Sequence, residues 1–175
     1  MAEPPTPANA FHAKHVRLLA QSYRKFVGRS LLEVSATPAD SQAGEAFAKA
    51  IFEAPFVVLS HNTDPDPIFN YANLAAMKLF EMDWQTITTT PSRESAEPVN
   101  RAERDRLLTA VTAHNFIDDY SGVRISSSGR RFFIPKAIVW NVVNENGEYR
   151  GQAATFADWD FSVESRSVNT PQITS

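Results

Sequence analysis

From Phe56 to Trp84 the chain sets a buried-strand run, a turn, a second strand and a capped helix in immediate succession: FVVLSHNTDPDPIFNYANLAAMKLFEMDW. Phe56-Val57-Val58-Leu59-Ser60 is almost unbroken in apolar character, as a strand covered on both faces would be. Asn62 to Pro67 is a turn by composition, with Asn, two Asp and two Pro. Ile68 to Tyr71 makes the second strand. Asn73 then caps a helix whose inner stripe is Ala75, Ala76, Leu79 and Phe80, with Lys78 and Glu81 pointing away.

The C-terminal half is built for an antiparallel sheet. Tyr120 to Ser126 alternates Val123 and Ile125 with Arg124 and Ser126, the pattern of a sheet with one wet face. Ser127-Ser128-Gly129 is a turn, and Arg131 to Val143 is a long apolar strand in which Pro135 predicts a bulge or an edge position. Asn146-Gly147 is a hairpin signal leading to a last strand, Tyr149 to Phe156. Between the halves, residues 83–99 are polar and broken by Pro91 and Pro98. Asn100 with Glu103 forms a capping-box pattern ahead of a helix with Leu107, Leu108 and Val111 inside, ending near His114. Two strands, several helices and a three-strand meander predict an α+β fold, an antiparallel sheet with helices on one face.

Two helices precede this core. Residues 1–8 hold three prolines and read as a disordered leader. Asn9 is placed to cap a helix ending before Gly28, with Phe11, His15, Leu18, Leu19, Ser22 and Phe26 on one stripe and Lys14, Arg17, Arg24 and Lys25 behind. Such a helix suits docking or dimerisation; its basic back also suits a membrane surface or an acidic partner. Thr37-Pro38-Ala39-Asp40 opens the second helix, with Ala43, Phe47, Ala50, Ile51 and Ala54 inside and Pro55 as its stop. The expected organisation is a helical extension over 9–54, a core over 55–161 and a disordered tail over 162–175.

A net charge of -3 argues against nucleic acid as the main partner, because phosphate binding needs an excess of Lys and Arg. The absence of cysteine excludes disulfides, thiolate metal sites, Cys nucleophiles and any cofactor attached through sulfur. No apolar run reaches the roughly 18 residues of a transmembrane helix, and no signal-peptide core begins the chain, so a cytoplasmic protein is expected. The basic segment from Lys14 to Arg29 leaves an organelle transit peptide as the alternative.

IFNYANLAAMKLF resembles the PAS signature at its second strand and first helix, and SSSGRRFFIPKAIVWNVVNENGEYRGQAATFADWDFS resembles the PAS C-terminal hairpins. More narrowly, PFVVLSHNTDPDPIFNYAN, MDWQTITTTPSRESAEPVNRAER and FIDDYSGVRISSSGRRFFIPKAIVWNV resemble the MEKHLA family, and AQSYRKFVGRSLL is similar to the N-terminal part of its stand-alone members. The resemblance spans residues 14–161. It implies a PAS-like sensory or regulatory module that binds a small molecule or a protein partner and signals through dimerisation or docking. MEKHLA domains also end plant class III homeodomain-leucine zipper factors, but neither a homeodomain nor a zipper heptad is present here, so DNA binding does not carry over. On this fold the helical half would enclose a pocket lined by Ile68, Tyr71, Leu79, Phe80, Trp84, Leu108 and Ile125, with His61, Asn70, Asn73 and Arg93 as its polar groups. Arg93 is the candidate partner for an anionic ligand group. Phe11, Leu18, Leu19, Phe26 and Trp140 are the expected interface, on the sheet surface where PAS domains meet flanking helices or a second copy.

Without cysteine the covalent flavin and chromophore chemistries of PAS domains are excluded, which leaves non-covalent flavin, or haem with His114 as proximal ligand. Ser60, His61 and Asp64 do not make a triad, since neighbours on a strand point to opposite faces. Asp64 and Asp66 read as turn formers before proline rather than as a metal pair, and Asp118 and Asp119 as exposed residues. Two other function classes stand beside the sensor: an enzyme on a cone-shaped roll with a His61/Asp66 acid-base pair, and a ligand-free interaction scaffold.

Overall fold

A computed structural model of the chain describes residues 3–32 and 41–163. The expected helix start at Thr37–Asp40 and the tail beyond residue 163 lie outside the described residues. The helices are α1 (Ala13–Val27), α2 (Ser41–Phe52), α3 (Leu74–Phe80), α4 (Trp84–Ile87) and α5 (Pro98–His114). The strands are β1 (Val57–His61), β2 (Phe69–Ala72), β3 (Phe116–Ile125), β4 (Arg131–Val143) and β5 (Tyr149–Phe156). They form one antiparallel sheet in the order β2-β1-β5-β4-β3, so both ends of the core meet where β1 pairs with β5.

Asn73 behaves as a cap and as more than a cap. Its Oδ1 accepts from Ala76 N in the first turn of α3 (3.1 Å) and from Val58 N on β1 (3.1 Å). Its Nδ2 donates to Ile51 O (3.0 Å) and Phe56 O (2.8 Å), so one fully buried side chain ties α2, β1 and α3 together. The α5 start differs from expectation. Glu97 and Pro98, taken as breakers, are the N-cap and first residue, because Pro is pre-set for the first helical position; the Asn100–Glu103 pattern falls inside the helix. Pro135 lies in β4, an interior strand, at a bulge rather than an edge: the β3 register slips between Tyr120 and Gly122, and β5 pairing begins only at Ile138. Its missing N–H therefore falls where no ladder bond is required.

Alternation along the strands divides the core in two. Val57, Leu59, Ala72, Val139 and Phe156 face α3 and α5, with Leu79, Phe80 and Val111 packed on them. Val58, Tyr71, Trp140, Val142 and Ala153 face the other way, against Val16, Leu19 and Tyr23 of α1 and Ala48, Ile51 and Phe52 of α2. The N-terminal helices thus cover the sheet face opposite α3 and α5. The buried stripe of α1 is turned from the expected one: Val16 and Tyr23 join Leu19 and Ser22 inside, while Leu18 and Phe26 sit at its margin.

In this arrangement three of the five expected interface residues pack against other parts of the same chain. Phe11, Leu19 and Trp140 are buried within the chain, with Trp140 Nε1 donating to Leu19 O at 3.2 Å and the Tyr23 ring edge-on to Trp140 at 4.8 Å. Residues 3–8, expected as a free leader, are also placed. Pro5 is buried, Thr6 N donates to Asn9 Oδ1 at 2.9 Å, and a 3-10 turn over Pro7–His12 turns Phe11 onto Phe52. Asn9 serves that turn, and α1 starts after it, at Ala13.

Candidate functional site

The sheet face toward α5 does not close completely. A cavity of about 70 Å³ lies among β1, β5, β4, β3 and α5, space for several water-sized groups. Leu59, Phe69, Phe80, Ile134, Val139 and Phe156 give it apolar walls, and His61, Arg104, Arg124, Gln152, Ser92 and Ser95 are among the polar residues set into them, with Tyr120 beside Arg124. No acidic residue among the described residues lines it.

His61 reaches the cavity because it ends β1 on the same face as Leu59. It is 9% exposed, and Nδ1 donates to the neighbouring Asn62 O at 2.8 Å. That bond leaves Nε2 as the acceptor of the neutral ring, buried near Gln152 and outside hydrogen-bonding geometry with any of the described residues. Burial lowers the His61 pKa, with the nearby Arg104 charge acting the same way against the Asn62 bond and the Gln152 side chain. Its register partner on β5, Gln152, donates to Leu108 O (3.0 Å) and Thr112 Oγ1 (3.0 Å), which fixes α5 over the cavity.

Two arginines complete the wall, each 8% exposed. Arg104 projects inward from α5 and donates to Ser92 Oγ at 2.6 Å and to one oxygen of the exposed Asp105 at 3.1 Å. Among the described residues Arg124 donates only to its own neighbour Val123 O (2.8 Å), and it lies over the Tyr120 ring at 5.0 Å. Burial, reinforced by Arg104, pulls the Arg124 pKa down to about 9, and burial lowers that of Arg104 as well.

Of the pocket residues expected from sequence, His61, Phe80 and Leu108 line this cavity. Leu79 is in the adjoining core, Ile125 is half-buried at the end of β3, and Ile68 bridges to Pro91. Asn73 is the structural tie already described. Tyr71 and Trp84 lie on the opposite sheet face, edge to face at 6.1 Å. Arg93 is exposed and paired with Asp66 at 3.0 Å. The pairing of Asp66 with Arg93 and of His61 with Asn62 leaves no His61/Asp66 acid-base pair, and His114 is exposed at the end of α5, away from the cavity.

Arg104 and Arg124 are the residues that sequence reading missed. Arg104, Leu108 and Val111 share the spacing of one helical face, so Arg104 stood on the inner stripe all along. On β3 the alternation is real but inverted: Arg124 and Ser126 are buried, while Val123 and Ile125 are half-exposed.

Immediately behind His61, Ser60 points to the other face. Its hydroxyl donates to Asn70 Oδ1 at 2.6 Å and, its proton so used, accepts from His15 Nε2 of α1 at 3.0 Å. Burial lowers the His15 pKa to about 4, with the His12 charge adding to the effect. Because this folded value lies below the unfolded one near 6.5, the unfolded chain binds a proton between pH 6.5 and 4 that the fold refuses. Stability is therefore full above pH 6.5 and falls on acidification, by roughly 3 kcal/mol over that window, and His61 acts in the same direction. Melting curves from pH 7 to 4.5 should show a shallower acid loss for His15→Gln than for the parent; parallel curves would remove His15 from the explanation. Tyr71, whose ring lies 5.7 Å from that of His15, buries a hydroxyl with no partner among the described residues, and burial raises its pKa. Tyr71→Phe should raise stability by about 1 kcal/mol in a denaturant titration, since it removes an unmet polar group without leaving a hole.

No helix among the described residues is long and apolar enough to cross a membrane. The family profile described as MEKHLA domain matches residues 13–161. Among curated proteins, the chain is 22% identical over 145 residues to the homeobox-leucine zipper protein HOX9 of rice, covering 83% of this chain and 17% of that protein. It is 21% identical over 147 residues to REVOLUTA of Arabidopsis thaliana, covering 82% and 17%. The chain thus spans about a sixth of the length of these relatives. Among solved structures, a PAS domain from Colwellia psychrerythraea superposes with a TM-score of 0.54 at 14% identity, covering 63% of this chain and 92% of that one. An RNA-binding light-oxygen-voltage receptor gives 0.58 at 17% identity, covering 79% and 38%. At such identities the likeness speaks for a PAS-like fold.

Proposed function

The chain belongs to the MEKHLA domain family, and we propose that it works as a regulatory module that takes a small molecule into the cavity under α5 and passes the event through β1 to α1. The observation that carries this reading is a pair of consecutive residues. His61 lines the cavity, and Ser60 beside it holds His15 of α1 on the far side of the sheet. A ligand that draws on His61 displaces the same stretch of backbone that positions Ser60. Gly151 leaves that stretch little room to move alone, because β5 approaches His61 closely there.

The output follows from what α1 covers. Its contacts to the sheet include His15 on Ser60, Ser22 on both the N–H and C=O of Val143, and Leu19 O under Trp140. Loosening them would expose Trp140, Leu19 and their neighbours to a second copy or a protein partner. A ligand shifts this balance only by binding one arrangement better than the other. The setting we propose is cytoplasmic.

Native mass spectrometry of the full chain, followed by hydrogen exchange of the α1 amides before and after release of the bound molecule, tests both halves. The expected result is a bound small molecule whose release changes exchange in α1. A chain that carries none and takes none from a metabolite mixture sinks the input. A bound molecule that leaves α1 exchange unchanged sinks the relay.

A further inference from the structure

We infer that the cavity takes a small monocarboxylate, its anionic head held by Arg124 and Arg104 and its apolar body by the aromatic and aliphatic wall. This deepens the proposal above and rests on the cavity being a ligand site.

Burying a guanidinium costs several kcal/mol unless a carboxylate or a full set of acceptors compensates. Four other arginines have carboxylates: Arg93 has Asp66, Arg106 has Glu103, Arg131 has Glu97 and Arg150 has Glu148. At the cavity the supply is thinner. Arg124 has one backbone carbonyl and a ring face, and Arg104 shares a single oxygen of an exposed Asp105. Two like charges line one partly open space with no acid among its described lining residues, a charge distribution complementary to an anion. The donors are also in place. Ser92 Oγ accepts from Arg104 and keeps its own proton without an acceptor among the described residues, and Arg124 spends one N–H on Val123.

The rest of the wall decides the class of anion. Leu59, Phe80, Ile134, Val139 and Phe156 offer only apolar contact, and the free volume is about 70 Å³. A planar carboxylate on a short hydrocarbon matches both; a phosphate ester would need more donors and more room.

The test is titration of the full chain at pH 7 with butyrate, hexanoate and benzoate, with their amides, and with inorganic phosphate, followed by calorimetry and side-chain NMR. The parent is compared with Arg124→Met, with Arg124→Lys and with the exposed control Arg106→Met. At least one carboxylate should bind about tenfold or more tightly than its amide, and Arg124→Met should lose about tenfold or more of that affinity. The melting temperature of unliganded Arg124→Met should not fall, since the substitution removes a desolvated cation and leaves no buried partner stranded. Arg124→Lys should keep part of the affinity. Amides binding as well as acids, or Arg124→Met binding as well as the parent, would overturn the anion assignment while leaving the cavity a ligand site. Phosphate binding as tightly as the best carboxylate, or no carboxylate binding at all, overturns the carboxylate assignment. The mass-spectrometric search for a bound molecule judges the ligand site separately.

Discussion

Gly151→Ala is expected to give a chain that does not fold cooperatively, or one destabilised by about 4 kcal/mol or more. A Cβ built on Gly151 would lie 1.9 Å from His61 O and 3.1 Å from His61 C. Both are backbone atoms of the paired strand, so no side chain can move aside. The residue also sits at φ +127, a conformation other residues seldom adopt. Relief requires β1 and β5 to part at the position where His61 faces Gln152, so the cavity wall should be lost together with stability. Circular dichroism melting of the purified variant decides the matter. A Gly151→Ala protein that melts within a few degrees of the parent would show that this approach is not rigid.

Asn73→Ala should cost roughly 3–5 kcal/mol, which for a domain of this size is a fall of about 10 °C in melting temperature. The helix cap accounts for about 1 kcal/mol of this. The remainder comes from Val58 N, Ile51 O and Phe56 O, which lose their partner inside the protein. Asn73→Asp separates the two parts. It keeps the oxygen that caps α3 but turns a second oxygen toward the carbonyls of Ile51 and Phe56. If Asn73→Asp is as unstable as Asn73→Ala, the tie between α2 and β1 dominates. If it melts close to the parent, capping is the main role and the tie is minor.

The two substitutions also mark how far the fold could be read in advance. Asn73 announced itself: a polar residue with a short side chain between a strand and an apolar helical stripe is a cap in almost any context. Gly151 did not. Nothing in YRGQAA tells a strand glycine that merely tolerates its place from one pressed against a neighbouring backbone. The same contrast runs through the candidate site. His61 was visible as a lone imidazole at a strand end, and Phe80 and Leu108 as members of apolar stripes. Arg93 attracted notice because it stands in a polar loop, yet there a carboxylate from the opposite loop satisfies it. Arg104 and Arg124 looked like ordinary surface charges, because hydrophobic patterning treats a charged residue as outward by default.

Local sequence by itself determined the elements. Apolar run lengths, the period of each stripe, Asn73 at a helix start and Asn146-Gly147 at a hairpin depend on interactions within a few residues, and these persist whatever the rest of the chain does. Tertiary structure alone decided the faces. Whether β3 turns its arginine or its aliphatic residues inward, and whether Trp140 meets a partner or α1, depends on which distant element lands on each side of the sheet. Those contacts join residues such as Trp140 and Leu19, 121 positions apart. Only long-range packing can bury a charge opposite an empty space, and it is in that pairing that the candidate site consists.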